Sequence, residues 1–310
     1  MKKQGHDVRR DIWDWGDAKS IIRSKQLVKW GEVIISEWGL SNSVWYSHNI
    51  SANQTHYIRI HLQEINERAR KFPPKIDLNY VDKIIFVSDN VRETAIKMFN
   101  WPADKCTIIH NYVNTKLFDR PKAEIAEYTL AIVGIVPQRK RLDRVVDLVR
   151  SLRMIDSRWR LVIKGKLPHD YAFMHAPGRR EELAYYDEQY ERFDIDHHLR
   201  GAVSFESYTP SLAEWYSRIG FILSPSDFES FHYSIAEGAA SGSVPIIWPW
   251  DGAEEFYPES WIGQNHQEIV EMVLDSQRTQ LKVIEKNKQV ISQRYSMEKI
   301  FAKLQDEMGV

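Results

Sequence analysis

FILSPSDFESFHYSIAEGAASGSVPII, residues 221–247, decides how this chain is read. A short apolar strand, 221–224, delivers the chain into the turn SPSDFES. A helix is expected from about Phe231, with Gly242 as its C-cap before the next strand. That order puts the turn just outside the carboxyl end of a parallel strand, where ligands of open α/β sheets bind. Backbone N–H groups of Ser230, Phe231 and His232 at the helix mouth suit an anion. Glu229 stands at that mouth, where it repels phosphate but can accept hydrogen bonds from sugar hydroxyls. Glu237, about two turns along, can hold a second polyol such as ribose. On spacing alone the plainer reading prevails: Glu229 offsets the positive end of the helix dipole and Glu237 faces water.

Outward from this segment, short Val/Ile/Leu-rich strands keep alternating with helices. TLAIVGIV, RLVIKGK and AVSF read as strands, and RLDRVVDLVRSLR and the region of SLAEWYSR as helices. Nearer the start, GHDVRRDIW reads as a helix end followed by a strand. EVIISEW, SVWYSHN, HYIRIH and DKIIFVSDN read as further strands, the last feeding the helix NVRETAIKMFN, which Pro102 stops. The alternation predicts parallel sheets covered on both faces, in two doubly wound α/β domains. The expected boundaries are 1–118, 119–275 with a polar helical insertion near 167–200, and 276–310 as C-terminal helices, with a linker near 114–122.

Composition is that of a globular protein: 310 residues, 43% hydrophobic, 27% charged, net charge −1. One cysteine, Cys106, allows no internal disulfide and no Cys-based metal site, which suits a reducing compartment. No apolar run approaches the roughly 18 residues that span a bilayer, and the start lacks the apolar region of a signal peptide, so a cytoplasmic location is expected. Near-neutral charge argues against nucleic acid as a partner. The balance is uneven, with 19 Lys+Arg against 14 Asp+Glu in 1–120 and 23 against 29 in 121–310.

Four motifs in order, IIHNYVNTKLF, VGIVPQRKRLD, SPSDFES with Glu229 and Glu237, and GAASGSVPII, resemble those of GT-B retaining glycosyltransferases of family 4. The resemblance is strong over 108–260 and looser before. It implies GT-B architecture, two Rossmann-like domains facing a cleft, the first short of its opening β–α unit because Met1 stands where a first helix should end. It implies transfer of a hexose-like sugar from a UDP- or GDP-linked donor to a hydroxyl acceptor with retention, without a metal or a permanently bound cofactor. The implied catalytic residues are Glu229, facing the donor sugar, Lys140, gripping the diphosphate, and His61, on the acceptor side. Arg139 or Arg141 adds a second phosphate contact, since Ile135 stands where the family commonly has arginine. Glu237 resembles a ribose clamp, and Ser230, Phe231 and His232 offer backbone amides. Lys164 and Lys166 face either the cleft or the surface. The acceptor is a carbohydrate or lipid-linked hydroxyl, and the basic first domain leaves room for peripheral contact with the inner face of a membrane.

Two signals carry less. DIDHH (Asp194, Asp196, His197, His198) looks like an Asp-x-Asp metal motif but follows no strand. Most of the eleven tryptophans, Trp38, Trp45 and Trp159 among them, are expected in the core, with Trp248 and Trp250 nearest the cleft. Two other classes fit the same fold: a non-catalytic sugar-nucleotide or partner-binding module, and a GT-B-type sugar-nucleotide epimerase.

Overall fold

The computed structural model describes residues 5–14, 19–209 and 211–309, with 279–282 described in backbone only. The chain divides into two compact units, Met1–His110 and Asn111–Val310.

In the first unit, β1 (Val33–Glu37), β2 (Thr55–Ile60), β3 (Lys83–Phe86) and β4 (Cys106–Ile108) form a parallel sheet in that order. Its helices are α1 (Ile21–Trp30), α2 (Ser41–Ser47) and α3 (Asp89–Phe99). Ile58, Ile60, Ile84 and Phe86 pack with Val91 and Ala95 of α3. Ser88 caps α3 by accepting from the Val91 N–H, and Asn100, left-handed at φ 52°, ends it ahead of Pro102. Two expectations are corrected. SVWYSHN is mostly helix α2, because Ser43, Tyr46 and Ser47 fall on one buried face at helical spacing and Ser43 Oγ donates to the Trp38 carbonyl at 2.8 Å. GHDVRRDIW is irregular, with a single bridge residue at Trp13, and helix α1 follows it. The helix end expected at Met1 lies outside the described residues.

In the second unit, β5 (Thr129–Val133), β6 (Arg160–Lys164), β7 (Val203–Glu206), β8 (Phe221–Ser224) and β9 (Val244–Ile247) form an all-parallel sheet ordered β7-β6-β5-β8-β9. Its helices are α4 (Thr115–Phe118), α5 (Leu142–Ile155), α6 (Arg180–Ile195), α7 (Leu212–Ser217), α8 (Tyr233–Ala240), α9 (Ala253–Phe256), α10 (His266–Tyr295) and α11 (Met297–Met308). Leu130, Ile132, Leu161, Ile163, Phe221 and Leu223 point to one face, against Val145, Val149 and Leu152 of α5 and Tyr186 of the inserted helix α6. Ala131, Val162 and Ile222 point to the other, against Trp215 and Tyr216 of α7 and Ile235, Ala236 and Ala239 of α8. Burial on both faces explains why these strands are continuous apolar runs. Strand order reverses between β5 and β8, so the loops after these two strands meet at the topological switch point.

Helix α8 ends in a Schellman motif: the Ser243 N–H reaches the Gly238 carbonyl at 2.9 Å, the Gly242 N–H reaches the Ala239 carbonyl at 3.0 Å, and Gly242 takes φ 86°. The helix crosses β8 so closely that a Cβ on Gly238 would lie 2.6 Å from Cγ2 of Ile222. Gly238→Ala is therefore expected to lower unfolding free energy by about 1–3 kcal/mol in urea titrations, and an unchanged midpoint would refute the close crossing.

The stretch expected to link the domains packs onto the second unit. Asn114 caps α4, and Lys122 Nζ donates to the carbonyls of Tyr216 and Ile219 and to Ser241 Oγ and Ser243 Oγ, all within 3.0 Å. Trp159 is core, but Trp38, read as core, is 42% exposed and left-handed at φ 73°. Among the described residues no helix is long and apolar enough to cross a membrane.

Candidate functional site

The loop after β5 opens with Gly134 at φ 73°, passes through a short 3-10 turn (Gln138–Lys140), and enters α5 through Arg141, left-handed at φ 52°. The loop after β8 enters α8 through His232, left-handed at φ 53°. Polar contacts bind the two loops together. The Asp227 N–H donates to the Arg139 carbonyl at 2.9 Å, and Arg141 and Arg144 each hold Asp227 Oδ1 at 3.0 Å. Arg144 also donates to the Pro225 carbonyl at 2.7 Å. Arg139 donates to the Phe228 carbonyl at 2.7 Å while its guanidinium sits 4.5 Å from the Phe228 ring centre.

This lacing delivers two cations to one carboxylate. Lys140 Nζ lies 2.5 Å and Arg139 Nη1 3.3 Å from Glu229 Oε1. Burial alone would raise the Glu229 carboxyl; the His232 ring, Lys140 and Arg139 instead hold it down at about 2. His232 is itself pushed down to about 3, by burial and then by the same two cations, so its ring is neutral at ordinary pH. Lys140 and Arg139 are thus the charges that keep Glu229 ionised. His232 Nδ1 is 2.6 Å from Ser224 Oγ, at the end of β8.

Glu237, on α8 itself, is held without a cation among the described residues acting on it. The Tyr216 hydroxyl, 3.2 Å from Oε2, is its hydrogen-bond partner, and burial pushes the carboxyl up to about 7. Ser230 is half-buried. The Phe231 ring belongs to the core, edge-on to Tyr295 at 5.0 Å, so Phe231 can offer only backbone. Lys164 is buried: it is 3% exposed and its Nζ donates to the Ser207 carbonyl at 2.9 Å. Lys166 lies over the Tyr171 ring, and Asp196 of DIDHH is engaged by Arg150 at 2.6 Å and the His198 N–H at 2.8 Å. Ile135 is core. Two cavities of about 570 and 580 Å³, one lined by Arg141, Arg144 and Trp248 and the other by Trp250 and Glu254, include neither Glu229, Lys140 nor Glu237.

The first unit carries a separate cluster at its own carboxyl edge. Glu37 and Arg59, in register across β1 and β2, are paired at 2.9 Å, and His61 Nε2 is 3.1 Å from the same Glu37 oxygen. Burial would raise the Glu37 carboxyl, but His61 and Arg59 hold it below its ordinary value. Glu64 accepts from the Gly39 N–H at 2.8 Å and the His61 N–H at 3.1 Å, tying the ends of the two strands, while its complete burial pushes its carboxyl up to about 7.

Sequence reading placed Lys140, Arg139, Glu229, His232 and Glu237 on the loops and helix where they are found. It missed Ser224, Asp227 and Glu37, and it missed Tyr216, which reaches Glu237 from another helix. Asp227 alone had a local signal, its place inside SPSDFES.

No family model and no curated protein matches the sequence. Solved structures do. The chain is similar to Anabaena Alr3699/HepE in complex with UDP and glucose, with a TM-score of 0.75 at 13% identity over 94% of this chain and 81% of that one. It is similar to TarM, of which a S. aureus form is also solved, with a TM-score of 0.71 at 15% identity over 94% and 57%. It is similar to sucrose-phosphate synthase from Thermosynechococcus elongatus, with a TM-score of 0.68 at 17% identity over 92% and 75%. The likeness is one of fold: two Rossmann-like parallel-sheet units of GT-B architecture.

Proposed function

We propose that the chain is a glycosyltransferase that moves a hexose-like sugar from a nucleotide diphosphate sugar, UDP- or GDP-linked, to a hydroxyl acceptor with retention, and that the second unit binds the donor. One observation carries the reading: Lys140 and Arg139 converge on Glu229 at the mouth of α8, at the switch point of a sheet. The neighbour HepE holds UDP and glucose in the same fold.

Departure of the nucleoside diphosphate builds negative charge. Lys140, Arg139 and the α8 N-terminus with the backbone of Ser230, Phe231 and His232 take it up as preorganised positive groups. The donor's phosphates claim the two cations, and Glu229, kept ionised, turns to the sugar, where positive character develops. Glu237 accepts the ribose hydroxyls. In the first unit, His61, oriented by Glu37, is assigned to the acceptor, a carbohydrate or lipid-linked hydroxyl. The excess of Lys and Arg over 1–120 suits an anionic glycan or the inner face of a membrane.

Incubation with a panel of UDP- and GDP-linked sugars, following nucleoside diphosphate release, tests this. Release from one donor, faster with acceptor, is expected. Binding without release would replace the reading with a non-catalytic module, and interconversion of sugars would replace it with an epimerase.

A further inference from the structure

Three polar side-chain atoms on one short stretch, Ser226 Oγ, His232 Nε2 and Ser234 Oγ, are buried without a hydrogen-bond partner among the described residues. Buried polar groups are nearly always paired, so orphans on a loop and the first turn of the helix it enters point to a partner from outside the chain. His232 is the most constrained of the three, being 8% exposed, with Nδ1 fixed by Ser224 at 2.6 Å.

That contact also selects the ring's tautomer. If Nδ1–H donated to Ser224, the buried Ser224 hydroxyl hydrogen would have no acceptor among the described residues, and Nε2 would be a bare lone pair. If the Ser224 hydroxyl donates to Nδ1, the only unmet group is an Nε2–H. The second arrangement leaves one orphan instead of two and is favoured, since each buried unmet group carries a desolvation penalty. The proton then sits on the nitrogen turned away from Ser224. The charges acting on the ring are those of Lys140, Arg139 and Glu229.

The backbone adds an independent observation. His232 takes φ 53°, where a side chain is disfavoured and glycine fits without penalty. A strained non-glycine residue at a ligand-binding loop marks a side chain with a use.

We propose that the His232 side chain is itself a binding residue for the donor: a neutral imidazole, held by Ser224, whose Nε2–H donates to a phosphoryl oxygen of the nucleoside diphosphate. This rests on the donor-binding reading above and adds a contact that no backbone amide supplies. Nε2 is buried in the free protein, so the contact forms only as the surrounding side chains shift on binding.

The test compares the full chain with His232→Gly, titrating UDP and GDP by calorimetry and recording thermal unfolding. Glycine fits φ 53° but leaves the space of a buried ring and an unpartnered Ser224, so the variant is expected to stay folded with a lowered thermal midpoint and to bind the nucleotide roughly ten- to a hundredfold more weakly. Parent and variant binding within twofold of each other would overturn the proposal. Failure of the parent to bind either nucleotide would overturn the donor-binding reading, and this inference with it. Nitrogen-15 NMR of the imidazoles in the parent gives a check that needs no variant: the His232 proton is expected on Nε2, and a proton on Nδ1 would overturn the assignment.

Discussion

Lys140→Ala is expected to abolish turnover, lowering sugar transfer at least a hundredfold, in line with the loss of one preorganised group at a developing charge. Its ammonium is the nearer of the two cations on Glu229, at 2.5 Å against 3.3 Å for Arg139. The same substitution weakens the fold, because it leaves a carboxylate whose side chain is 10% exposed with a single, longer partner. Breaking a buried pair costs about 3–5 kcal/mol, and Arg139 brings the figure to the lower end or below. The sign of the pH effect follows from the depressed Glu229 carboxyl. The stabilisation is present above its ordinary value of 4.5 and is lost as pH falls through about 2, so the variant loses stability chiefly at neutral pH. Folding and chemistry are separable: Lys140→Ala combined with Glu229→Ala should regain the thermal midpoint and stay inactive. Full turnover in Lys140→Ala would sink the assignment.

The second large effect is expected at Glu237. Glu237→Ala should weaken nucleoside diphosphate binding, and in the parent that affinity should depend on pH near neutrality. Burial raises the carboxyl to about 7, so in the free protein it passes from mostly neutral to mostly ionised between pH 6 and 8. A carboxylate accepts ribose hydroxyls through charge-assisted bonds and a neutral acid does not, so affinity should rise about tenfold over that window. Stability should move the other way. A raised carboxyl favours the fold fully below its ordinary value of 4.5, and that contribution is lost as pH rises through about 7. Nucleotide phosphates titrate nearby, so Glu237→Gln is the reference: its pH slope should be flatter than the parent's. Identical slopes would remove Glu237 from the nucleotide. Two carboxylates on one strand–loop–helix segment are thus pushed apart, one fixed as an anion and one poised near neutrality, a division that fits one to the sugar and the other to the nucleoside.

What the sequence made legible follows from how each element is stabilised. The strands of the second unit are buried on both faces and read as unbroken Val/Ile/Leu runs, and α8 is bracketed by a turn and by Gly242, so each could be placed. Helix α2 could not, because its buried side is Ser43, Tyr46 and Ser47 and its Val-Trp-Tyr core has strand-like propensity; packing overrode it. Strand β4 is three half-buried residues, too short for a periodic signal. At the site, Lys140, Glu229 and Glu237 were marked by their motifs. Tyr216 and Ser224 were not, since they act through contacts fixed only once α7, β8 and α8 are stacked. For the same reason, the place of Lys164 at a strand end gave no hint that its Nζ would donate to the Ser207 carbonyl.

The left-handed backbones at Trp38 and His232 bear on what selection can do with this protein. Each holds a side chain where glycine would relieve roughly 1 kcal/mol of backbone strain. A library sorted for heat resistance alone should therefore accumulate glycine at the exposed Trp38, while His232, whose ring is buried and holds Ser224, should be kept, all the more under sorting for turnover. The two outcomes would map which strain is historical accident and which is maintained by the chemistry.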